Sequence, residues 1–300
     1  MTNFKVWISS FRLRTLPLSI SGILIGSAFA YSNDNFNVII FLLALLTTIS
    51  LQILSNLAND YGDGVKGTDN NNRIGPERAI QSGLISPKKM KHAIIINVII
   101  LIVLISSLLY CSFKPDEYFN LLIFFFLGFI SIFSAIKYTV GNKAYGYYAL
   151  GDLFVFAFFG LLSTMGSYYL YAKSLDVILL LPSISVGLLS VGVLNLNNMR
   201  DSVSDKLSNK ITIAGSLGFD NAKTYHLLIL IISIFISVTF IFNFYFTLTS
   251  LIVLLSYFPI VIHFKNVYLI TEPKLYNKEL KVLAISTFVF SLIHSIIIIL

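Results

Sequence analysis

The chain has 300 residues, of which 56% are hydrophobic and only 12% are charged, and its mean hydropathy is +0.84. Soluble domains carry roughly 25% charged residues, so this composition excludes an ordinary soluble enzyme and predicts a protein that crosses a membrane several times. The single cysteine, Cys111, excludes an intrachain disulfide and redox chemistry by paired thiols.

Nine apolar segments are each long enough to cross a bilayer, which takes about 20 helical residues. No polar segment between them is long enough to bury a core of its own. We therefore expect a single domain over residues 1–300, an all-α polytopic membrane protein with about nine transmembrane helices. The predicted spans are 15–32, 37–56, 92–112, 118–136, 149–170, 176–196, 225–243, 245–263 and 282–300.

The net charge of +7 could indicate nucleic-acid binding, but the placement of the basic residues argues against it. When the segments outside the spans are assigned to alternate sides, nineteen Lys and Arg residues fall on one side and two, Lys114 and Lys173, on the other. Basic residues concentrate on the cytoplasmic side of membrane proteins. We therefore expect a cytoplasmic N-terminus, cytoplasmic polar loops, an external C-terminus and no nucleic-acid partner.

The first apolar segment has two interpretations. Ala28-Phe29-Ala30 resembles the cleavage site of a signal peptide. Pro17, however, suits the first turn of a helix, and small residues recur after it at spacings of three or four, which favours close helix packing. We favour a first membrane span.

The first polar stretch directly follows the second span. Asn56, Asn59 or Asp60, and Asp63 fall at helical spacings, so they share one face of a helix end. Glycines after this face loosen the backbone and allow Asp69 to fold back toward it. Carboxylates this close repel one another, and a hard divalent cation held by oxygen ligands would resolve the conflict. A solvated loop between helices is the alternative.

The loop that carries this stretch is about 35 residues long, whereas helix bundles usually use two to eight. Within it, Gly75-Pro76-Glu77-Arg78 predicts the start of a short helix that caps a cavity, because Pro is common in a first helical turn. The chain contains only five Arg residues, and three of them, Arg73, Arg78 and Arg200, lie in the two polar loops.

An aromatic stretch lies between the fourth and fifth spans. Residues 137–148 contain four tyrosines and two lysines, which suit an aromatic ligand with acidic groups. Tyr138 and Tyr147 are the candidate side chains, and an interfacial belt of aromatic residues is the alternative. Asp152 follows at the start of the fifth span, where a helix N-terminus favours a carboxylate.

The second polar stretch repeats the first. Asn197, Asp201 and Asp205 lie at i, i+4 and i+8 on one helical face, and Asn195-Leu-x-Asn198 matches Asn56-Leu-x-Asn59 four spans earlier. We interpret this as an internal repeat of four-helix units with a ninth span added. The two acidic ends would then face each other across a pseudo-symmetric bundle with a central cavity.

Three histidines, His226, His263 and His294, lie near predicted span ends without a second His or Cys at ligand spacing, so we interpret them as structural. The two polar stretches differ from them, because they combine carboxylates with a basic rim. Carboxylates alone repel phosphate, whereas Mg²⁺ takes one or two carboxylates together with phosphate oxygens. The pattern therefore indicates a diphosphate bound through Mg²⁺, with an apolar cavity for a hydrocarbon tail.

Both stretches resemble the two Asp-rich motifs of the intramembrane aromatic prenyltransferases, and the resemblance extends over almost the whole chain. The Asn59–Asp69 run with Arg73-x-Gly-Pro-x-Arg78 is most similar to the branch that acts on 1,4-dihydroxy-2-naphthoate in menaquinone synthesis. The Leu16-Pro17 start and the 137–152 loop fit that branch as well. The chain departs from the common NDxxDxxxD pattern, because Gly67 takes the last acidic place and Asp69 follows.

The resemblance implies a Mg²⁺ site, with two ions that bridge to the diphosphate. Asp63 and Asp69 would hold one ion, Asp201 and Asp205 the other, and Asp60 would be a secondary ligand. Which of Asp60, Asp63 and Asp69 touches metal stays open at this point.

The resemblance also implies substrates and their contacts: a polyprenyl diphosphate, 1,4-dihydroxy-2-naphthoate and the surrounding membrane lipid. Asn59 and Asn198 would orient the carboxylates, and Tyr138 or Tyr147 would contact the acceptor. Four cations would neutralise the diphosphate: Arg73, Arg78, Arg200 and Lys210. The catalytic set would be Asp63, Asp201, Asp205 and Lys210, in a bacterial cytoplasmic membrane. Alternatives are another aromatic acceptor, such as 4-hydroxybenzoate, and a transporter with a coupling cation.

Overall fold

A computed structural model describes residues 3–69 and 73–300, and within them nine helices are long and apolar enough to cross a membrane. This confirms the predicted all-α fold and the number of spans. The helices are α1 Phe4–Ser32, α2 Val38–Lys66, α3 Pro87–Ser112, α4 Pro115–Lys137, α5 Gly151–Ala172, α6 Val177–Leu207, α7 Phe219–Phe244, α8 Thr249–Leu269 and α9 Pro273–Ile299.

Helices α2 and α6 continue about three turns beyond the spans predicted from hydropathy. Hydropathy falls where the polar stretches begin, but the helices do not end there because the polar face turns inward. Asp63, Asp201 and Asp205 are only 3%, 4% and 4% exposed. Asp63, Asp201 and Asp205 therefore lie on helices rather than in the loops that follow them.

Helix α2 ends at Lys66 and is capped by Gly67, whose φ of 74° lies in the left-handed region that a glycine adopts without strain. This residue reverses the chain, so that the backbone amides of Thr68 and Asp69 both donate to the carbonyl of Asp63, at 3.0 and 3.3 Å. Asp69 is thereby brought back against the end of the helix and is 7% exposed.

The predicted short helix after Gly75 is wrong, because residues 73–86 form bends and turns. The amides of Ala79 and Ile80 donate to the carboxylate of Asp60 at 3.2 and 3.3 Å. The carboxylate of Asp60 thus caps the start of a single turn, and that turn stops at Gly83, whose φ of 71° lies in the left-handed region. The loop is held over the helix end by this contact.

Close helix contacts build the bundle around α5, which is π-helical over Phe156–Gly166. A methyl group at Gly160 would lie 2.7 Å from both the Cα of Gly187 and the carbonyl oxygen of Ser183, which are backbone atoms of α6. Gly22 of α1 meets α5 in the same way, at the Ser163 side chain. Small residues thus allow three helices to approach closely.

Substitution of Gly160 with alanine is expected to destabilise the protein by about 1–3 kcal/mol, because the added methyl meets backbone that has no room to move. Thermal unfolding of the purified protein in detergent measures the effect. The matched control is Gly166→Ala, in the same π-helical segment, where the methyl meets only the flexible Leu162 side chain. Equal melting temperatures for the two variants would contradict the expectation.

Candidate active site

The two polar stretches lie at the same end of the bundle and face each other. Arg73 connects them, since its Nη1 lies 2.7 Å from Asp69 and its Nη2 lies 3.8 Å from Asp201. A cavity of about 380 Å³ opens beneath them and is lined by polar groups from both stretches, including Asn59, Asp63 and Lys210. The acidic motifs therefore share one site, as the repeat predicted.

In the first cluster, Asp63 faces the cavity and its two oxygens have different partners. Oδ2 accepts from Nη1 of Arg78 at 2.8 Å, and Oδ1 accepts from the hydroxyl of Tyr147 at 2.8 Å. That hydroxyl lies 2.7 Å from Oγ1 of Thr68. The carboxylate is thus held in one orientation from two sides.

Arg78 joins the two carboxylates of this cluster. Its Nη1 lies 2.8 Å from Asp63, 2.8 Å from Asp69 and 2.8 Å from the carbonyl oxygen of Asn59. Burial alone would lower the pKa of Arg78, but attraction to Asp63 and Asp69 outweighs it and raises the pKa. Burial raises the pKa of Asp69, against the opposing effect of Arg78 and Arg73. Arg78 therefore stays charged at every physiological pH.

The structure separates the three acidic candidates of the first stretch. Asp63 lines the cavity, and Asp69 is paired with Arg73 and Arg78 beside it. Asp60 instead accepts the loop amides described above. The structure shows that this carboxylate anchors the loop. Its assignment as a secondary metal ligand stays a prediction.

In the second cluster, Asp201 forms a two-pronged ion pair with the preceding residue, Arg200, at 2.8 and 2.6 Å. The same guanidinium also donates to Asn197 and Asn277, each at 2.8 Å. Arg200 is thus engaged with the protein itself in this structure. Its predicted contact with diphosphate stays a prediction.

Asp205 and Lys210 complete the second cluster, with Nζ of Lys210 at 3.2 Å from Oδ1 of Asp205. Burial would lower the pKa of Lys210, but attraction to Asp205 and Asp63 raises it, so the ammonium stays charged. Lys210 also lies 5.9 Å from the ring centre of Tyr147. It therefore reaches the side chain that orients Asp63.

A short backbone pairing ties the aromatic loop to the second stretch. The amide of Ala149 donates to the carbonyl of Ile211 at 3.0 Å, and the amide of Ile211 donates to Tyr147 at 3.2 Å. This pairing places Tyr147 next to Lys210 and over Asp63. The loop therefore contributes Tyr147 to the site, where it contacts Asp63 through the oxygen that Arg78 leaves free.

The repeated asparagines divide into two roles. Asn56 donates to the carbonyl of Phe11 at 3.0 Å and Asn195 to that of Ala222 at 3.2 Å, so the first member of each motif fastens a neighbouring segment. Among the later members, Asn59 lines the cavity, where its side chain accepts a hydrogen bond from Thr139 at 3.2 Å.

On the second helix it is Asn197 that lines the cavity, while Asn198 is 2% exposed and outside that lining. The structure thus favours Asn197, four residues before Asp201, as the counterpart of Asn59, four residues before Asp63. That i, i+4 spacing was the signal in the sequence that could have selected it.

Aromatic side chains form the cavity wall below the polar groups. Tyr138 lies there with Tyr145, which stacks on Phe154 with ring centres 3.9 Å apart. Burial raises the pKa of Tyr138 to about 12. Its phenol is therefore neutral at physiological pH and can donate a hydrogen bond but cannot serve as a phenolate base.

Arg12 also lines the cavity and was not among the predicted site residues. It sits at the break between the first helical turns and the rest of α1, in the left-handed region with a φ of 50°. A non-glycine residue with positive φ is uncommon and often marks a functional position. The sequence shows only a basic segment here. The break in the helix could not be predicted, because Arg12 and its immediate neighbours include no glycine or proline.

The acidic groups suit Mg²⁺ held jointly with a ligand. Among the described residues, no three His, Cys, Asp or Glu side chains are grouped to bind a metal by themselves. Mg²⁺ commonly uses one or two carboxylates and takes its other ligands from phosphates and water. Oδ2 of Asp205 is buried and has no hydrogen-bond partner in the described chain, an arrangement that a bound cation would satisfy.

Removal of the Tyr147 hydroxyl is expected to lower the rate of the reaction at this site about tenfold to a hundredfold, because a hydrogen bond to the charged carboxylate of Asp63 is lost. The measurement is the initial rate of the Tyr147→Phe variant, with its melting temperature as a check on folding. Tyr148→Phe is the matched control, since the neighbouring side chain is exposed. A full rate for Tyr147→Phe would show that Arg78 orients the carboxylate of Asp63 without help from Tyr147.

Fold and site together define an integral membrane protein with a cation-and-carboxylate site at the mouth of an apolar cavity. The model of the UbiA prenyltransferase family matches residues 19–292. The chain belongs to the UbiA prenyltransferase family.

Similar proteins include curated bacterial relatives described as 1,4-dihydroxy-2-naphthoate octaprenyltransferase. The Escherichia coli relative is 47% identical over 222 residues, which cover 74% of this chain and 71% of that protein. The Mycobacterium tuberculosis relative is 36% identical over a region that covers 73% of this chain and 72% of the relative's length.

Two solved structures share the fold. A UbiA homolog from Archaeoglobus fulgidus, solved with DMAPP and Mg²⁺, aligns over 98% of this chain and 99% of its own, with a TM-score of 0.66 and 12% identity. A structure from work on digeranylgeranylglyceryl phosphate synthase in membranes aligns over 100% of this chain and 99% of its own chain, with a TM-score of 0.61 and 16% sequence identity.

Proposed function

We propose that the protein transfers a polyprenyl group from polyprenyl diphosphate to 1,4-dihydroxy-2-naphthoate, with loss of CO₂ and diphosphate, to give demethylmenaquinol. The observation that carries this proposal is the pair of facing carboxylate clusters, interleaved with cations, at the mouth of a cavity with apolar walls. Relatives at 36–47% identity that are described as acting on this naphthoate support the choice of acceptor.

Four carboxylates would hold Mg²⁺ against the diphosphate: Asp63, Asp69, Asp201 and Asp205. The number of ions we propose is two, one for each cluster. A bound ion supplies positive charge that weakens the bond between the diphosphate and the allylic carbon. The solved UbiA homolog with DMAPP and Mg²⁺ supports the use of this metal.

The cations of the site would receive the charge that develops on the leaving diphosphate. Arg78 and Lys210 both line the cavity and both stay charged. Fixed cations in a site that excludes water stabilise such charge strongly, because they need no reorganisation during the reaction. Arg73, at the junction of the clusters, would contact the same group.

The cavity walls would protect the allylic cation that remains after the diphosphate leaves. Phe154, Phe158 and Tyr145 line it, and aromatic faces attract cations. Their apolar surface also excludes water, which would otherwise capture the cation. The ring carbon that bears the carboxylate would then form the new C–C bond, and loss of CO₂ from that same carbon returns the electrons of the broken C–C bond to the ring and restores its aromaticity.

Tyr138 would contact the acceptor rather than deprotonate it, since its phenol stays neutral. Tyr147 is already engaged with Asp63 and Thr68, so its part is to orient the metal-binding carboxylate. This division gives the two predicted tyrosines different roles: Tyr138 contacts the acceptor, and Tyr147 orients Asp63.

The test is prenyl transfer by the purified protein in detergent, with 1,4-dihydroxy-2-naphthoate and an all-trans polyprenyl diphosphate. We expect product only with Mg²⁺, its loss with EDTA and its return when Mg²⁺ is added in excess. Parallel reactions with 4-hydroxybenzoate test the acceptor. If the prenylated product forms with 4-hydroxybenzoate but not with 1,4-dihydroxy-2-naphthoate, the proposed acceptor is wrong. If product still forms in EDTA, the proposed requirement for Mg²⁺ is wrong.

We propose the bacterial cytoplasmic membrane as the location, with the active-site loops on the cytoplasmic side. Cys111, the single cysteine, is exposed near the end of α3 opposite the polar loops. A membrane-impermeant maleimide is expected to label it in intact spheroplasts. The control is Cys111→Ser combined with Lys88→Cys at the other end of α3, which should be labelled only after permeabilisation. The reverse pattern would invert the topology.

A further inference from the structure

Arg200 and Asp201 form a contact that their positions in the helix do not favour. Adjacent residues on an α-helix point about 100° apart and do not face each other. Arg200 must therefore bend around the helix to place Nε and Nη2 on the two oxygens of Asp201, at 2.8 and 2.6 Å. Such a conformation needs partners that hold the far side of the guanidinium.

Asn277 supplies that support from a different helix. It lies in the first turns of α9, and its Oδ1 accepts from Nη1 of Arg200 at 2.8 Å. Asn197 accepts from Nη2 at 2.8 Å on the other side. The side-chain oxygens of Asn197 and Asn277 thus accept from the N–H groups of Arg200 that face away from Asp201.

The turn that carries Asn277 is itself fixed by a buried polar network. Glu279, two residues on, is 4% exposed; Nδ1 of His263 lies 2.7 Å from its carboxylate, and Asn266 donates to it at 3.2 Å. Nε2 of His263 lies 3.0 Å from Nε2 of His226. An acidic side chain within membrane helices is costly, and these contacts lock the start of α9 to α7 and α8.

We propose that Asn277 is a positioning residue for the second carboxylate cluster: it holds Arg200, and through Arg200 it fixes the orientation of Asp201. This inference rests on the proposed function, because Asp201 is assigned there to Mg²⁺ and diphosphate. Loss of the amide frees the guanidinium to turn toward other acidic groups of the site. Asp201 then loses the orientation in which it meets the ligand.

The test measures binding of inorganic diphosphate in MgCl₂ by isothermal titration calorimetry of the purified protein. Asn277→Leu, which keeps the size but removes the acceptor, is expected to weaken binding about tenfold, the lower end of the effect seen when a partner of a metal ligand is removed. Asn277→Asp, which keeps the accepting oxygen, should restore most of the affinity. Lys278→Ala, at the exposed neighbouring position, is the control.

A double-mutant comparison separates positioning from a general structural effect. In an Arg200→Ala background, Asn277→Leu should weaken binding no further, because its effect passes through Arg200. Unchanged binding by Asn277→Leu, or additive losses in the double variant, would overturn the inference while the proposed function stands. A wild-type protein that does not bind Mg²⁺ with diphosphate would overturn the proposed function, and the inference with it.

Discussion

Replacement of Asp63 with asparagine is expected to reduce prenyl transfer by at least about a hundredfold, the size of effect seen when one charge-stabilising group is removed from an active site. The amide keeps the shape of the side chain, and its oxygen can still accept one of the two hydrogen bonds from Arg78 and Tyr147. What disappears is the negative charge at the cavity mouth. The measurements are initial rate and its dependence on MgCl₂, with melting temperature as the check on folding.

Asp60→Asn is the matched control for Asp63→Asn. Both residues are buried near the end of α2, at 2% and 3% exposure, but Asp60 accepts the amides of the 73–86 loop. Its substitution should lower the melting temperature and leave the Mg²⁺ dependence of the rate unchanged. A larger catalytic loss in Asp60→Asn than in Asp63→Asn would reverse the assignment of the two carboxylates.

This contrast shows how far the sequence determines the site. Helical spacing placed Asn59, Asp63, Asp201 and Asp205 on inward faces, because a period of 3.6 residues fixes direction along a helix. It could not separate Asp60 from Asp63, since the partners of Asp60 lie about twenty residues later in a turn. Such a contact depends on how the loop closes, which no local pattern encodes.

The helix ends illustrate a second limit. Hydropathy located the nine spans found within residues 3–69 and 73–300 but ended α2 near residue 56, whereas the helix continues to Lys66. A hydropathy profile averages the polarity of the side chains over a window of sequence. A helix whose polar face lines a cavity therefore has the same low average as a loop. The repeat of Asn and Asp at helical spacing carried the missing information.

The charges show a third limit. The sequence indicated that cations and carboxylates lie together, and the structure adds how they are paired. Arg73 connects the two clusters, Arg78 joins Asp63 to Asp69, and Arg200 serves Asp201. These pairings depend on which side chains reach one another across the bundle, so they follow only from the tertiary structure.

Substitution of Arg78 with methionine is expected to abolish measurable transfer and to destabilise the protein by about 3–5 kcal/mol, the cost of removing one partner from a buried ion pair. The side chains of Arg78, Asp63 and Asp69 are 10%, 4% and 1% exposed. Because they are buried, water cannot solvate the two carboxylates once the positive charge of Arg78 is removed. The measurements are transfer rate and thermal unfolding in detergent.

Arg78→Lys is the matched control, because the three contacts of Arg78 converge on one nitrogen, Nη1. An ammonium that reaches this point supplies the charge and three donors. We expect Arg78→Lys to keep most of the stability and part of the activity. Equal instability of the lysine and methionine variants would show that the planar guanidinium, rather than its charge, holds the cluster.

The stability of Arg78→Met should also depend on pH in a defined direction. Burial already raises the pKa of Asp69, and Arg78 opposes that rise. Without Arg78 the folded-state pKa of Asp69 moves further above its unfolded value, so the folded protein binds more protons and loses stability as pH increases. The difference in melting temperature between Arg78→Met and wild type should therefore be smaller at pH 5.5 than at pH 8. A difference that is the same at both pH values would show that the methionine variant is destabilised by lost packing and not by an unpaired buried carboxylate, and a difference that grows on acidification would contradict the expected direction.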